Sequence, residues 1–239
     1  MSRLIGGELI KLRTTRTALG FTAGVVLITL AVVLITILAN SPTTIADKRS
    51  ALAVGSGISA LLLLFGVVGA GAEYRHRTLA PALLVAPGRA RLLVARVVAY
   101  GLAALAIGVV MTIVAFALGL PLLSGRSGPD LAASDYLRAG GGGLLAIFLS
   151  TMLGVGVGTL VGKQVPAVIG TMVWLFILEP LSGLIGHISK FTIGQTETAI
   201  AGDTGGDVLP WGAASLVLLA WTAAFLLAAA LVDHRRDIA

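Results

Sequence analysis

Residues 73–96 read EYRHRTLAPALLVAPGRARLLVAR and separate two long apolar segments of the chain. The stretch contains five arginines and a single acid, Glu73, whereas charged residues make up only 12% of the whole sequence. Ordinary soluble domains carry about 25% charged residues. Together with a mean hydropathy of +1.00, this composition predicts that most of the chain lies in a membrane. Residues 73–96 are then a loop outside the membrane.

Six apolar segments are each long enough to cross a bilayer as an α-helix. We predict an all-α membrane protein with one transmembrane domain over residues 1–239 and spans at about 18–39, 51–72, 97–123, 138–162, 165–187 and 211–232. The third span is expected to tilt or to end at Pro121. The fifth is interrupted by Glu179-Pro180. It either bends at Pro180 or is a short span followed by a re-entrant helix on the outer side.

The segment before the first span is polar and basic. Its apolar residues Ile5, Leu9 and Leu12 recur at helical spacing, which predicts a short helix lying in the headgroup layer. The alternative is a frayed basic terminus that only sets the orientation of the first span. The charged residues of this interfacial helix are Glu8, Lys11, Arg13 and Arg16.

The distribution of positive charge predicts the orientation of the chain. With the N-terminus in the cytoplasm, twelve Lys and Arg residues fall in inner segments and five in outer ones. The positive-inside rule then places both termini in the cytoplasm. This topology explains the net charge of +6 better than binding to nucleic acid does.

The sequence lacks the residue patterns of an enzyme. It contains no cysteine, and its three histidines fall in different segments, so neither thiol catalysis nor a metal site has a candidate. The Gly162-Lys163 pair has neither the spacing of a phosphate-binding loop nor the Ser or Thr that must follow the lysine. We therefore expect no catalytic residue, no metal and no cofactor bound by this chain.

Glu179 is the one acid flanked by apolar residues, and we predict that Glu179 and Pro180 belong to an outer gate or path. The carboxylate either lines an exit path, binds a neighbouring helix end or marks the membrane boundary. Ion-coupled carriers usually place charge near the middle of the membrane. Because such charge is scarce here, we favour an energy source outside the chain. The alternative is an ion-coupled secondary carrier with Glu179 as its coupling residue.

Glycines recur every four residues in the fourth span and predict a face for close helix packing. The packing partner lies either within the protomer or across a dimer. The residues of this face are Gly154, Gly158 and Gly162.

Four features, in their order along the chain, resemble the permease subunits of ABC-2-type transporters, which are mostly bacterial exporters. The resemblance extends over essentially the whole chain. The features are the basic lead Glu8–Arg16, the Glu73-Tyr74-Arg75-x-x-Thr78-Leu79 motif after the second span, the Pro87-x-Arg89 segment before the third, and Glu179-Pro180 late in the fifth.

The resemblance implies a permease without its own catalytic activity in a bacterial cell membrane. A separate cytosolic ATPase would bind ATP and Mg, and two permease subunits, identical or different, would enclose the translocation path. The N-terminal segment would be the interfacial helix, and the segment after Glu179 a re-entrant outer gate. A path lined by apolar residues suits a hydrophobic or amphipathic cargo, such as a drug, lipid or peptide.

The resemblance also implies that a short coupling helix after the second span, within residues 78–85, docks on the ATPase. Apolar residues of this helix and arginines at both of its ends would make the contact. The alternative is that the arginines only enforce topology and bind anionic lipid. The expected docking residues are Glu73, Arg75, Arg77, Thr78, Leu79, Leu83, Arg89 and Arg91.

Overall fold

The computed structural model describes residues 1–14, 16–53, 58–75, 88–202 and 208–235, excluding the side chains of residues 16–18, 187, 234 and 235. These ranges contain helices and no strand. Two π-helical turns, Arg138–Gly142 and Trp174–Leu178, join α6 to α7 and α8 to α9, and a 3-10 segment, Gly183–Phe191, follows α9. The helices are α1 Ser2–Thr14, α2 Arg16–Ala39, α3 Ile45–Leu52, α4 Ser59–Arg75, α5 Arg89–Ser124, α6 Ala133–Leu137, α7 Gly143–Val161, α8 Gln164–Val173, α9 Glu179–Ser182, α10 Ile193–Ala201 and α11 Trp211–Arg235.

Five helical stretches of the described chain are long and apolar enough to cross a bilayer. This finding confirms the predicted class, an all-helical protein of the multi-pass membrane type. α4 is shorter, because its 17 residues extend for only about 25 Å at about 1.5 Å per residue. The five stretches are Leu19–Ala39, Arg89–Ser124, Ala133–Val161, Gln164–Gly186 and Trp211–Asp233.

The helix α7 is the centre of the bundle and packs against α4, α5 and α11. Its contact with α4 is close enough to require glycine on both helices. A Cβ added to Gly66 would collide with the Thr151 carbonyl oxygen, and one added to Gly154 with the Leu63 carbonyl oxygen. A Cβ at Gly158 would lie 2.7 Å from the Val67 carbonyl oxygen. Two of the three predicted packing glycines therefore face α4 of the same protomer.

The third glycine of the predicted face has a different position. Gly162 follows the last residue of α7 and has a φ of 66°. This left-handed conformation ends the helix, and its N–H donates to the Gly158 carbonyl oxygen at a distance of 3.0 Å. Gly162 therefore allows the tight turn into α8.

α5 starts earlier and ends later than the predicted third span. Arg89–Arg96 was assigned to a loop, yet these residues form the first turns of the helix. Arginine is a good helix former, and Arg89 and Arg96 find partners on neighbouring helices, so nothing requires the segment to unwind. Pro121 also lies inside α5, one turn before its end, and does not terminate it.

The predicted second span, residues 51–72, is not one continuous helix. α3 begins with a capping box between Thr44 and Asp47, and the chain becomes extended at Ala53 before α4 starts at Ser59. The cations of α3 lie inside the fold because loop carbonyls accept from them. Lys48 Nζ donates to the Pro129 carbonyl oxygen at 3.1 Å, and Arg49 Nε donates to the Gly202 carbonyl oxygen at 2.6 Å.

The fifth crossing neither ends nor breaks at Pro180. The wide turn Trp174–Leu178 precedes it, so Pro180 stands in the first turn of α9, where a missing N–H removes little helical bonding. The helical stretch continues until Gly186 adopts a φ of 67°. The chain then turns back as α10, which packs against α7 and α11.

We call the two ends of the bundle the proximal end and the distal end. The proximal end holds α1, the end of α4, the start of α5 and the end of α11, which hydrogen bonds and ion pairs connect. The distal end holds α3, residues 125–135 and the end of α10.

The α4–α7 contact can be tested with the variant Gly154→Ala. Its methyl group would have to displace the backbone of α4, so we expect a loss of about 1–3 kcal/mol in stability, as for other overpacked cores. Gly170→Ala is the matched control, because a Cβ there meets no atom within 4 Å. Thermal unfolding of both purified variants in detergent measures the effect. Equal midpoints for the two variants would contradict the assigned contact.

Candidate functional site

Four charged side chains from three helices meet at the proximal end, and we call them the proximal cluster. Arg96 of α5 forms an ion pair with Glu73 of α4, and its side chain is only 2% exposed. Lys11 of α1 lies 3.5 Å from the Glu73 carboxylate and 2.6 Å from the carboxylate of Glu8. Because two acids and two bases share a mostly buried site, each charge has an opposite partner, as buried charges require.

A second set of hydrogen bonds extends this junction to α8 and α11. The Tyr74 hydroxyl donates to Asp233 Oδ1 at 2.8 Å, and Arg89 donates to the main-chain oxygen of Asp233. Arg75 donates to the Gln164 side chain at 3.3 Å. The last turn of α4 is therefore bonded to α1, α5, α8 and α11 at the same level of the bundle.

The predicted docking residues divide into three groups. Glu73 and Arg89 bond other helices of the same chain, Arg75 is exposed but also bonds Gln164 of α8, and Arg91 is exposed. The remaining four lie outside the described residues, and so does the predicted coupling helix. They are Arg77, Thr78, Leu79 and Leu83.

The predicted interfacial segment is helical as α1. Glu8 is buried on the side of α1 that faces the bundle, and Leu12 packs against the core from the same side. Arg13 is exposed. Arg16 is the first residue of α2, and its side chain lies outside the described part of the chain.

A buried carboxylate lies deeper in the bundle, and sequence reasoning missed it. Glu197 of α10 is 2% exposed and accepts hydrogen bonds from two serines. Ser59, the first residue of α4, donates to Oε2 at 2.5 Å, and Ser150 of α7 donates to Oε1. Ser150 is near the middle of the stretch Ala133–Val161. A search for acids flanked by apolar residues in the sequence finds Glu179 but not Glu197, which lies between two threonines.

The periodicity of α10 could have revealed this acid. Ile193, Glu197 and Ile200 are separated by four and three residues, so they share one face of a helix, and all three are buried. The signal was hidden because residues 189–209 are polar on average. α10 is not one of the five stretches that could cross a membrane, yet it covers the middle of α7.

The surroundings of Glu197 favour its protonated form. Burial raises the pKa of its carboxyl to about 7, although the hydrogen bonds from Ser150 and Ser59 act in the opposite direction. The negative charge of Glu179 raises the pKa further. Protonation of Glu197 would thus occur near neutral pH.

Glu179 contacts the start of the same helix. Its Oε1 accepts from the Gly194 N–H in the first turn of α10, where a carboxylate satisfies a free donor and interacts favourably with the positive end of the helix dipole. Pro180 is exposed on the following turn. Of the three roles considered for Glu179, this contact corresponds to binding a neighbouring helix end.

The described residues contain no group of three His, Cys, Asp or Glu residues that could hold a metal ion. The chain matches no known family model, and no characterised protein is significantly similar to it in sequence. The resemblance to ABC-2-type permeases therefore stands on the motifs alone.

The importance of the proximal cluster can be measured with Glu73→Gln. This change leaves the Arg96 guanidinium buried with no full opposite charge, and removing one partner of a buried pair typically costs about 3–5 kcal/mol. The exposed Arg91→Gln is the matched control. Thermal unfolding in detergent should show a large loss for the first variant and almost none for the second. A similar small change in both would contradict a structural role for the pair.

Glu197 should make stability depend on pH. Between about pH 4.5 and pH 7 the folded state keeps the proton while the unfolded state has released it, so stability falls as pH rises through this range. Glu197→Gln should flatten this part of the curve, whereas the exposed Asp130→Asn should leave it unchanged. Thermal unfolding from pH 4.5 to 8 tests this. Parallel curves for Glu197→Gln and the unmodified protein would disprove it.

Proposed function

We propose that the chain is the transmembrane permease subunit of an ABC-2-type exporter, driven by a separate cytosolic ATPase. Two such subunits enclose the path, and the cargo is hydrophobic or amphipathic. The observation that carries the proposal is the bonding of both flanks of residues 76–87 to the rest of the bundle. The class of transporter comes from the resemblance of the sequence motifs to those of ABC-2-type permeases.

The two flanks suit a segment that receives a mechanical input. On one side, Glu73 and Tyr74 tie the end of α4 to α1, α5 and α11. On the other, Arg89 ties the start of α5 to α11. A partner that moves residues 76–87 would therefore move α1, α4, α5 and α11 together.

The charge at the proximal end supports a cytoplasmic position for it. Anionic lipid and the positive-inside rule favour an inner face rich in Lys and Arg. α1 joins this face with its core-facing side packed on α5 and with Lys11 and Arg13 exposed, which suits a helix in the headgroup layer. We place six crossings between this face and the outside, with α4 as the second. The proximal cations of the described chain include Arg3, Lys11, Arg13, Arg75, Arg89, Arg91 and Lys163.

The surface of the fifth crossing supports a second subunit. The stretch Gln164–Gly186 is the least buried of the five within the protomer, since only 6% of an apolar run of 18 residues within it lies inside the bundle. Such a side requires lipid or another protein as its neighbour. In the proposed dimer, part of this side faces the partner and the path.

Glu197 supports a second candidate, a proton-coupled carrier. A carboxylate that is buried at the level of the membrane helices and titrates near neutral pH is what proton relays use. Here Glu197 would replace Glu179 as the coupling residue. Transport by reconstituted protein that follows a proton gradient without ATP, and that Glu197→Gln abolishes, would favour this candidate over the exporter.

The exporter proposal predicts the effect of a charge reversal at the proximal end. Arg91→Glu should reduce co-purification with the cytosolic ATPase that the proposal requires, because the introduced carboxylate near the proposed docking segment would repel acidic partner residues. Arg138→Glu is the matched control, because it reverses an exposed arginine that lies near the distal end. Affinity purification from host membranes, followed by ATPase assay, gives the measurement. Equal yields of complex and activity for both variants would refute the docking assignment.

A further inference from the structure

The helix α10 is held in the bundle by contacts with other parts of the chain and not by its length. Its nine residues extend for about 14 Å, less than half of a hydrocarbon core of about 30 Å, so α10 is too short to cross a bilayer. It nevertheless has a buried face, which packs against α7 and α11. The position of α10 therefore depends on this packing and on its polar contacts.

Both ends of α10 are bonded by side chains of other elements. At the start, Glu179 accepts from the Gly194 N–H. At the end, Arg49 Nε donates to the Gly202 carbonyl oxygen at 2.6 Å, and the same guanidinium bonds Asp135 at 3.1 Å. A Cβ at Gly202 would lie 3.0 Å from Arg49 Cδ, so the arginine lies directly against the helix end. Because arginine stays charged in proteins, this contact does not change with pH.

The contact in the middle of α10 differs because its charge has no opposite partner. Glu197 Oε2 accepts from the Ser59 hydroxyl at 2.5 Å, and Oε1 accepts from Ser150. Both partners are neutral, and no ion pair in the described part of the chain includes Glu197. A buried carboxylate without a cation is unfavourable. A protonated carboxyl avoids this penalty, since a serine hydroxyl can also accept its proton in a hydrogen bond.

The charged groups on the elements around α10 do not compensate for a charge on Glu197. α7 contains no charged residue, and the charges of α4 and α11 lie at the proximal end. Arg49 bonds the carbonyl oxygen five residues after Glu197. Glu179 has the same sign and raises the pKa of Glu197. The other described charged side chains of these elements form no ion pair with Glu197, and they are Asp47, Lys48, Arg138 and Lys190.

This arrangement makes the packing of α10 sensitive to protonation. Burial raises the pKa of Glu197 to about 7 in the packed helix, whereas the ordinary value for a glutamate is 4.5. Between these two values the packed helix keeps a proton that a released, hydrated helix would lose. Release therefore becomes easier as pH rises through this range. Above about pH 7 both forms are ionised, and the equilibrium no longer depends on pH.

We propose that Glu197 is a pH-sensitive switch, which keeps α10 packed on α4 and α7 while it is protonated and releases the helix when it ionises. The end of α10 lies at the distal end of the bundle. Release would thus admit water from that end to the contact between α10 and α7. The switch does not rest on the proposed function, and it stands for an exporter subunit and for a carrier alike.

Cysteine labelling can measure this release, because the chain has no cysteine of its own. Ala199→Cys reports on α10, since Ala199 is 4% exposed and belongs to the core that α7 and α10 share. Ala104→Cys, buried in α5, is the matched control for the bundle as a whole. The exposed Ser134→Cys gives the pH dependence of the thiol reaction itself. Each variant is placed in phosphatidylcholine nanodiscs and labelled with a charged methanethiosulfonate reagent from pH 5 to 8.5.

Labelling rates are divided by the rate of Ser134→Cys at the same pH. We expect the normalised rate of Ala199→Cys to rise at least about tenfold between pH 5 and pH 7 and then to level off. Ala104→Cys should remain slow throughout. Adding Glu197→Gln should remove the rise, because glutamine keeps the hydrogen-bonding groups and cannot ionise. Adding Glu179→Gln should make the rise smaller, because it removes the like charge but keeps an acceptor oxygen.

Three results would overturn the proposal. A normalised rate of Ala199→Cys that does not change with pH would show that α10 stays packed when Glu197 ionises. A rise that persists with Glu197→Gln would mean that another group controls the helix. An equal rise in Ala104→Cys would mean that the whole bundle loosens. If the variant with Glu197→Gln fails to fold, the comparison of Ala199→Cys with Ala104→Cys and the effect of Glu179→Gln still decide the matter.

Discussion

The buried ion pair between Glu73 and Arg96 is the interaction on which the proximal end of this protein depends. Neither charge is tolerable alone in a site with so little exposure, so the end of α4 and the second turn of α5 must stay together. Lys11 extends the pair to α1. The pair therefore holds α4 against the first turns of α5, and through Lys11 it connects α1 to both.

α4 links this junction to the buried carboxylate at its other end. Its first residue, Ser59, bonds Glu197, and Glu73 in its last turn bonds Arg96. Between these points α4 lies against α7 through glycine contacts that leave no room for a shift of the backbones toward each other. Because α4 is one continuous helix, a displacement at one of its ends would also move the other end. In the proposed exporter, α4 would connect the site of energy input with the path.

An apolar cavity of about 260 Å³ lies beside the contact between α4 and α7. Leu63 of α4 and Leu153 of α7 belong to its wall, and Ile193 brings in the helix that carries Glu197. A ligand in the cavity would therefore touch the helices that hold the buried carboxylate. The two regions differ in their chemistry, because ion pairs hold the proximal end together and mostly apolar side chains line the cavity.

The sequence by itself determined the class of the protein and the existence and approximate limits of most crossing helices, because hydrocarbon demands long apolar runs whose backbone bonds are satisfied internally. It also indicated the close-packing role of Gly154 and Gly158, since small residues four apart share a helix face. Only the tertiary structure decided the rest. Arg96 belongs inside α5 because Glu73, 23 residues away, neutralises it. Glu197 is buried because Ser59 and Ser150 approach it from distant parts of the chain. Local composition cannot reveal a charge that is tolerated only through partners brought together by folding.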